Sequence, residues 1–443
     1  MLTLKPADVH SALGKHMLVD GLDLVFDLEK SHGSHIYDSR TGRQFVDFFS
    51  FFATNPVGIN HPKMRDPDFM KRMGEIAIHN PSNSDVYTVP MAEFVETFVR
   101  VGIPESLPHL FMVAGGSVAV ENALKTAFDW KVRRNRERGV SDDKGQQILH
   151  FKEAFHGRTG YSLSLTNTSD PRKTMYFPQF DWPRIVNPKI TFPLEDDIDA
   201  VIALEKQAVE QIQRAIADNP DDIAGLIIEP IQGEGGDNHF RPEFFQKLRE
   251  LADEHEFLFI VDEVQTGVGL TGKMWAYAHY GIEPDILSFG KKTQVCGILA
   301  GRRVDEVAHN VFSESARINS TWGGNLVDMV RFGRYLEIID EDRLVDNARD
   351  VGAYLLDKLH GFQAERPEQV SNARGRGLMC AFDLPDADTR TEFLKLAFDD
   401  GLLVLGCGVR SIRFRPVLSV ANVDIDEGLE IVARVLKKLE RTS

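Results

Sequence analysis

The chain has almost no cysteine: three in 443 residues, at Cys296, Cys380 and Cys407. A scattered, odd-numbered set builds neither a disulfide framework nor a zinc spacing, and it fits a reducing cytosol. Long apolar runs are missing as well. No stretch approaches the roughly 20 residues that span a membrane. The first 25 residues hold Asp, His and Lys in place of an unbroken apolar core. No secretory signal is therefore expected, and a cytoplasmic location is. Basic runs are also lacking. Asp and Glu total 67 against 51 Lys and Arg, a formal charge of −16. That argues against nucleic acid as a general partner, because phosphate binding needs clustered cations. No internal repeat or low-complexity tract interrupts the chain. What remains is 42% hydrophobic with 35 Gly and 20 Pro, enough to bury one large core or two unequal ones.

The chain is organised around Phe257 to Gly297. Phe257–Val261 is a short apolar run that reads as a buried strand and delivers Asp262, Glu263 and Gln265 at its carboxyl end. Ile286–Phe289 is a second, delivering Lys291 and Lys292. Ligands of parallel α/β sheets bind off the carboxyl ends of the strands. An acid and a lysine placed there together point to a site where an amine meets a carbonyl. A plain buried ion pair explains the same residues equally well when they are taken alone.

Earlier segments repeat the strand–loop–helix pattern. Leu110–Val113 runs into AGGS and then a helix with Val120, Ala123, Leu124, Ala127 and Phe128 on one face. Gly115, Gly116 and Ser117 thus open a helix whose free N–H groups and dipole suit an anion. Ile148–Phe151 is followed by AFHGRTG, where an aromatic, a His and an Arg surround a glycine. Leu226–Ile228 ends in EPIQGEGG, with Glu229 and Glu234 in the loop. PEFFQKLRELA is an amphipathic helix with Pro242 in its first turn. The alternation implies a mainly parallel sheet covered by helices, an α/β class. The segment Asn60 to Met73 reads as a capped helix start, and Asn80 to Thr88 as a polar loop. After the loop NSTWGGN a long helix runs through Val330, Tyr335 and Ile339. The remainder (strands LMCAF and SIRFRP, a helix near Glu392 to Phe398, and a last helix with Asp424 and Glu427 as its capping box) reads as a smaller α+β domain. The expected division is an N-terminal segment 1–65 joining that small domain, a large domain 66–325, and a C-terminal small domain 326–443.

In this order the motifs GGSVAVENALK, FHGR, EPIQGEGG, DEVQTG, SFGKK and STWGGN resemble the class-III (ω) aminotransferases among the fold-type I pyridoxal-phosphate enzymes. The resemblance covers nearly the whole chain. It implies a large domain with a mainly parallel, seven-stranded-type sheet, bound pyridoxal 5′-phosphate, and no metal. It also assigns roles. Lys291 is the attachment point of the cofactor and the proton carrier, with Lys292 its rival. Asp262 pairs with the pyridine nitrogen, Gln265 reaches the ring hydroxyl, Phe155 stacks on the ring, and Gly116 and Ser117 bind the phosphate. Thr321 binds the phosphate of a neighbouring subunit's cofactor, which implies a homodimer with shared sites. One departure from the family is Val118, where an acid is usual.

FPQFDWPRI, SLSLTNT, NPSNSDVY and KKTQVCG resemble the members that take the ε-amine of L-lysine and pass it to 2-oxoglutarate. Members acting on 4-aminobutyrate share FDWP and the double lysine, an ornithine donor is a further possibility, and an aminomutase is the rival reaction class on this fold. The resemblance puts Arg158 on the distal α-carboxylate of lysine. Arg413 takes a carboxylate of 2-oxoglutarate and is masked by Glu234 when lysine is bound, with Glu229 shaping the same pocket.

Overall fold

The computed structural model describes residues 4–440. Its central sheet has seven strands: β1 (His109–Val113), β2 (Gln147–Phe151), β3 (Arg184–Ile185), β4 (Ile223–Ile228), β5 (Leu258–Asp262), β6 (Ile286–Phe289) and β7 (Cys296–Ala300). Their spatial order is β1-β7-β6-β5-β4-β2-β3. Neighbours from β3 through to β6 pair in parallel, whereas β7 runs antiparallel to both β1 and β6. Every residue of β4, β5 and β6 is buried, so these strands read as continuous apolar runs, as expected where helices cover both faces. One covering helix is Pro242–Glu254, which buries Phe244, Phe245, Leu248, Leu251 and Ala252.

The strand β7, Cys296–Ala300, was not among the strands expected from the sequence. It returns beside β6 after a single turn, Lys291–Thr293. An antiparallel return needs no crossover helix and so leaves no periodic signal between the strands.

The two ends of the chain meet. His35–Tyr37 and Gln44–Asp47 form a sheet with Leu402–Leu403, the last pairing being parallel. Ser371–Arg376, Met379–Asp383, Ser411–Phe414 and Leu405–Cys407 make a separate antiparallel sheet. The last helix, Asn422–Leu439, starts earlier than its expected capping box. Asp424 sits inside the first turn and accepts from the Ala421 N–H (3.0 Å). Glu427 instead meets His35 Nε2 at 3.0 Å, a contact to the other end of the chain. Near the amino end, Asn60 to Met73 is split into a Pro62–Met64 turn and a Pro67–Ala77 helix, whose cap Asp66 accepts from the Phe69 N–H. No helix among the described residues is long and apolar enough to cross a membrane.

Candidate active site

The carboxyl ends of β4, β5 and β6 open onto a cavity of about 350 Å³ lined by Gly116, Ser117, Phe155, His156, Gly157, Arg158, Glu229, Glu234, Asp262, Val264, Gln265 and Lys291. It adjoins a wider one of about 850 Å³ that adds Phe52, the Ser169–Lys173 segment, Arg390, the Leu405–Val409 strand end and Arg413. Residues beside the seven-stranded sheet and residues of the carboxyl-terminal antiparallel sheet therefore face one space.

Asp262 is the last residue of β5 and is buried. Its Oδ1 accepts from Ser288 Oγ across the β5–β6 pair and from the Val264 N–H, each at 3.1 Å. Its Oδ2 lies 2.8 Å from His156 Nδ1. A carboxylate only accepts, so this contact assigns the imidazole proton to Nδ1. His156 Nε2 is then a buried acceptor with no partner among the described residues. Sequence reasoning placed His156 in a motif without giving it this role.

The two lysines diverge. Gly290 is extended and Lys291 takes a left-handed φ of +55°. Lys291 lines both cavities, while Lys292 is buried and donates to the Gln265 carbonyl at 2.8 Å. Burial pulls the Lys291 ammonium below its ordinary range, against the opposing pull of Asp262. A lowered pKa raises the share of neutral amine, which is the form that attacks a carbonyl. Lys292 is pulled well down by burial and then by Lys291, but its amine is tied to backbone. Lys292 and Gln294 also reach the carbonyls of Ala53 (3.5 Å) and Thr54 (2.8 Å). They brace a turn in which Ser50, Phe51, Phe52 and Ala53 all have positive φ, and that turn carries Phe52 to the wider cavity.

The anion cradle is built from glycine and hydroxyls. Gly115 (φ +101°) and Gly116 begin the helix Gly116–Glu137. Ser117 Oγ lies 2.7 Å from Thr159 Oγ1 and 2.6 Å from Ser162 Oγ, and it accepts from the Arg158 and Thr159 N–H groups. Gly157 has φ +126°, and a Cβ there would fall 2.2 Å from Ser117 Oγ, so only glycine lets the two loops touch. Val118 packs with Val113, Ala119 and Cys296 beneath the cradle.

Glu229 is buried and commits both oxygens to backbone, accepting from Phe155 N–H (2.9 Å) and Gly233 N–H (3.1 Å). It thereby holds the loop that presents Phe155. Burial raises its carboxyl to about 7. Gln265 Oε1 accepts from Arg413 Nη1 at 3.2 Å. Arg413 is pulled down by burial, and its Nε has no partner among the described residues. Arg158 lines both cavities and is exposed.

Two of the expected residues have partners of their own here. Glu234 is not paired with Arg413 here: its Oε1 accepts from Thr168 Oγ1 (2.7 Å) and forms an ion pair with Lys173. Lys173 was not anticipated. Thr321 is exposed and lines neither cavity; Ser82 Oγ donates to its carbonyl, which anchors the loop on the 82–84 segment.

This sheet order, with an acid and a lysine on adjacent strand ends and a glycine-hydroxyl cradle opposite, defines a phosphate-bearing cofactor enzyme. Residues 18–436 match the class-III aminotransferase model, and the chain belongs to that family, whose cofactor is pyridoxal phosphate. The L-lysine-epsilon aminotransferase of Mycobacterium tuberculosis is 52% identical over 97% of this chain and 96% of its own. A solved lysine aminotransferase structure from M. tuberculosis superposes with TM-score 0.96 at 52% identity, covering 98% of this chain and 99% of that one. The human mitochondrial 4-aminobutyrate aminotransferase is more distant, 34% identical over 88% of this chain and 80% of its own. The lining fits pyridoxal phosphate: the cradle offers N–H and O–H donors to an anion, and Asp262 offers a braced carboxylate to a pyridinium nitrogen.

Proposed function

We propose that this chain transfers the ε-amino group of L-lysine to 2-oxoglutarate, giving L-2-aminoadipate 6-semialdehyde, which cyclises to piperideine-6-carboxylate, and L-glutamate. The carrying observation is the placing of two guanidinium groups, Arg158 and Arg413, around the cavity that holds Lys291. Two dicarboxylate ends and one amino-acid end must be read in turn by the same space, and two separate cations suit that task. Support also comes from the lysine-acting relatives.

The bound cofactor supplies an electron sink for the carbon that loses its proton. The protein does the rest. Lys291 Nζ moves the proton of the amine-bearing carbon, and its depressed pKa keeps part of it neutral and able to accept. Asp262, braced by His156 and Ser288, holds the pyridine nitrogen in its charged form. Phe155 backs the ring, with its loop held by Glu229. Gly116 and Ser117 fix the phosphate. Arg158 takes the distal carboxylate of both substrates; Arg413 takes the carboxylate beside the keto group, and Glu234 neutralises Arg413 when lysine's methylenes fill that space. The reaction is ping-pong, because both substrates use one site in turn.

The working unit is a homodimer in the cytoplasm, with Thr321 reaching the neighbouring subunit's phosphate. Its exposure, away from its own chain's cavity and beside the half-exposed Trp322, supports that reading.

The test is a donor screen with 2-oxoglutarate as acceptor, reading glutamate formed. Lysine should exceed ornithine and 4-aminobutyrate in kcat/KM. A 4-aminobutyrate preference removes the lysine assignment, and amine migration without glutamate makes the enzyme an aminomutase.

A further inference from the structure

Glu234 shares one cavity with two cations, Lys173 and Arg413. Lys173 holds its Oε1 together with Thr168 Oγ1, while Oε2 is buried and has no partner among the described residues. In the lining of the same cavity, Arg413 has an Nε that is equally buried and equally unpartnered among the described residues. The two orphan atoms are complementary. Lys173 itself stands on a single turn, Pro171–Lys173, whose cap Asp170 accepts from the Arg172 N–H at 3.1 Å. Asp170 in turn donates its own N–H to Thr168 Oγ1 at 3.2 Å. The same threonine therefore ties the lysine's turn to the carboxylate the lysine holds. Lys173 Nζ also lies 5.9 Å from the Phe155 ring centroid, so this cation borders the reaction space directly.

We propose that Lys173 is a specificity-determining residue: it receives the Glu234 carboxylate whenever Arg413 must be free for a substrate carboxylate. This rests on the reading above, in which Glu234 and Arg413 serve two substrates. A carboxylate that leaves the buried Arg413 for nothing leaves a cation uncompensated, and that penalty would lock Glu234 onto Arg413. A second cation within reach turns departure into exchange. The asymmetry of the pair suits the task. Lys173 is 30% exposed and Glu234 21%, whereas Arg413 is 6% exposed. When Glu234 swings to Arg413, the lysine can be solvated in place. The structure holds the exchange in its dicarboxylate-ready position, with Glu234 on Lys173 and Arg413 leaning on Gln265.

The consequence is opposite in sign to removing Glu234. Without Lys173, Glu234 should favour Arg413 and close the cavity to dicarboxylates. In the holoenzyme, Lys173→Met should raise the KM for 2-oxoglutarate roughly tenfold more than the KM for lysine, with kcat changed less than either. Glutarate, an unreactive five-carbon dicarboxylate, should bind roughly tenfold more weakly by calorimetry, a readout independent of turnover. Lys173→Arg should restore both. The penalty should vanish in a Glu234→Gln background, because a neutral amide needs no second cation.

Equal changes for lysine and 2-oxoglutarate, unchanged glutarate binding, or a Lys173→Met penalty that survives in Glu234→Gln would each overturn the proposal. A parent enzyme that prefers another amine donor but still loses glutarate affinity on Lys173→Met would overturn the lysine assignment and leave this proposal standing.

Discussion

His156 Nδ1 lies 2.8 Å from Asp262 Oδ2, with both side chains buried, though the residues are 106 positions apart. The imidazole thus fixes the orientation of the one carboxylate aimed into the cofactor cavity from the end of β5. His156→Phe should remove a charge-assisted hydrogen bond and leave an oxygen of Asp262 unsatisfied, at a cost of about 1.5–3 kcal/mol. Because the effect acts through Asp262, kcat should fall while borohydride still fixes the cofactor to Lys291. Asp262→Ala should be more severe and should shift the visible absorbance of the holoenzyme. An unchanged kcat in His156→Phe would make the contact purely structural.

The neighbouring lysines should separate cleanly. Lys291→Ala should abolish transamination and covalent fixation of the cofactor by borohydride, while free cofactor still occupies the phosphate cradle. Lys292→Met should retain fixation but lose stability, by about 1–3 kcal/mol in denaturant titration, since the Gln265 carbonyl loses its donor. A reduced adduct mapping to Lys292 would reverse the assignment.

Glu263, the residue after Asp262, is buried away from the chemistry: Oε1 accepts from the Tyr277 N–H at 2.7 Å and Oε2 from Thr266. Burial raises its carboxyl from 4.5 to about 7. Between those values the unfolded chain releases this proton and the folded one keeps it. Stability therefore declines as pH rises through that window, by up to about 3 kcal/mol from this group alone. Glu263→Gln keeps the shape of the acceptor and removes the proton. Denaturation of the apoenzyme at pH 5 and pH 8 should show the variant gaining on the parent at the higher pH. A constant difference would mean that Glu263 ionises normally.

Much of this arrangement was legible because strand ends announce themselves. β5 and β6 are apolar runs that stop abruptly, and Asp262 and Lys291 stand at or just past the stop. Ser117 follows a glycine turn and precedes apolar residues at helical spacing. What escaped was long-range or conformational. The partner of Asp262 is set by a loop far away in sequence. The parting of Lys291 from Lys292 depends on one positive φ, which residue identity does not encode. Lys173 sits on an irregular loop, where neither periodicity nor motif marks a side chain as facing inward. The expectation of a Glu234–Arg413 pair when lysine is bound did not include it for that reason.

Thr321 tests whether the site is shared. Its side chain lies outside the cavity of its own chain, on a loop tied to the 82–84 segment by Ser82, Asn83 and Ser84. If it caps a neighbour's phosphate, Thr321→Ala should weaken cofactor binding by about 1.5–3 kcal/mol, the loss of one charge-assisted hydrogen bond. Mixing that variant with Lys291→Ala distinguishes the two geometries. With shared sites, each mixed dimer has one site carrying both defects and one carrying neither. Activity per Lys291-bearing subunit should then rise above that of the Thr321→Ala homodimer at limiting cofactor. With self-contained sites, every Lys291-bearing site still lacks Thr321, and no rise can occur. Subunit exchange is confirmed first by a tagged copy, so that an absent rise counts against the shared site.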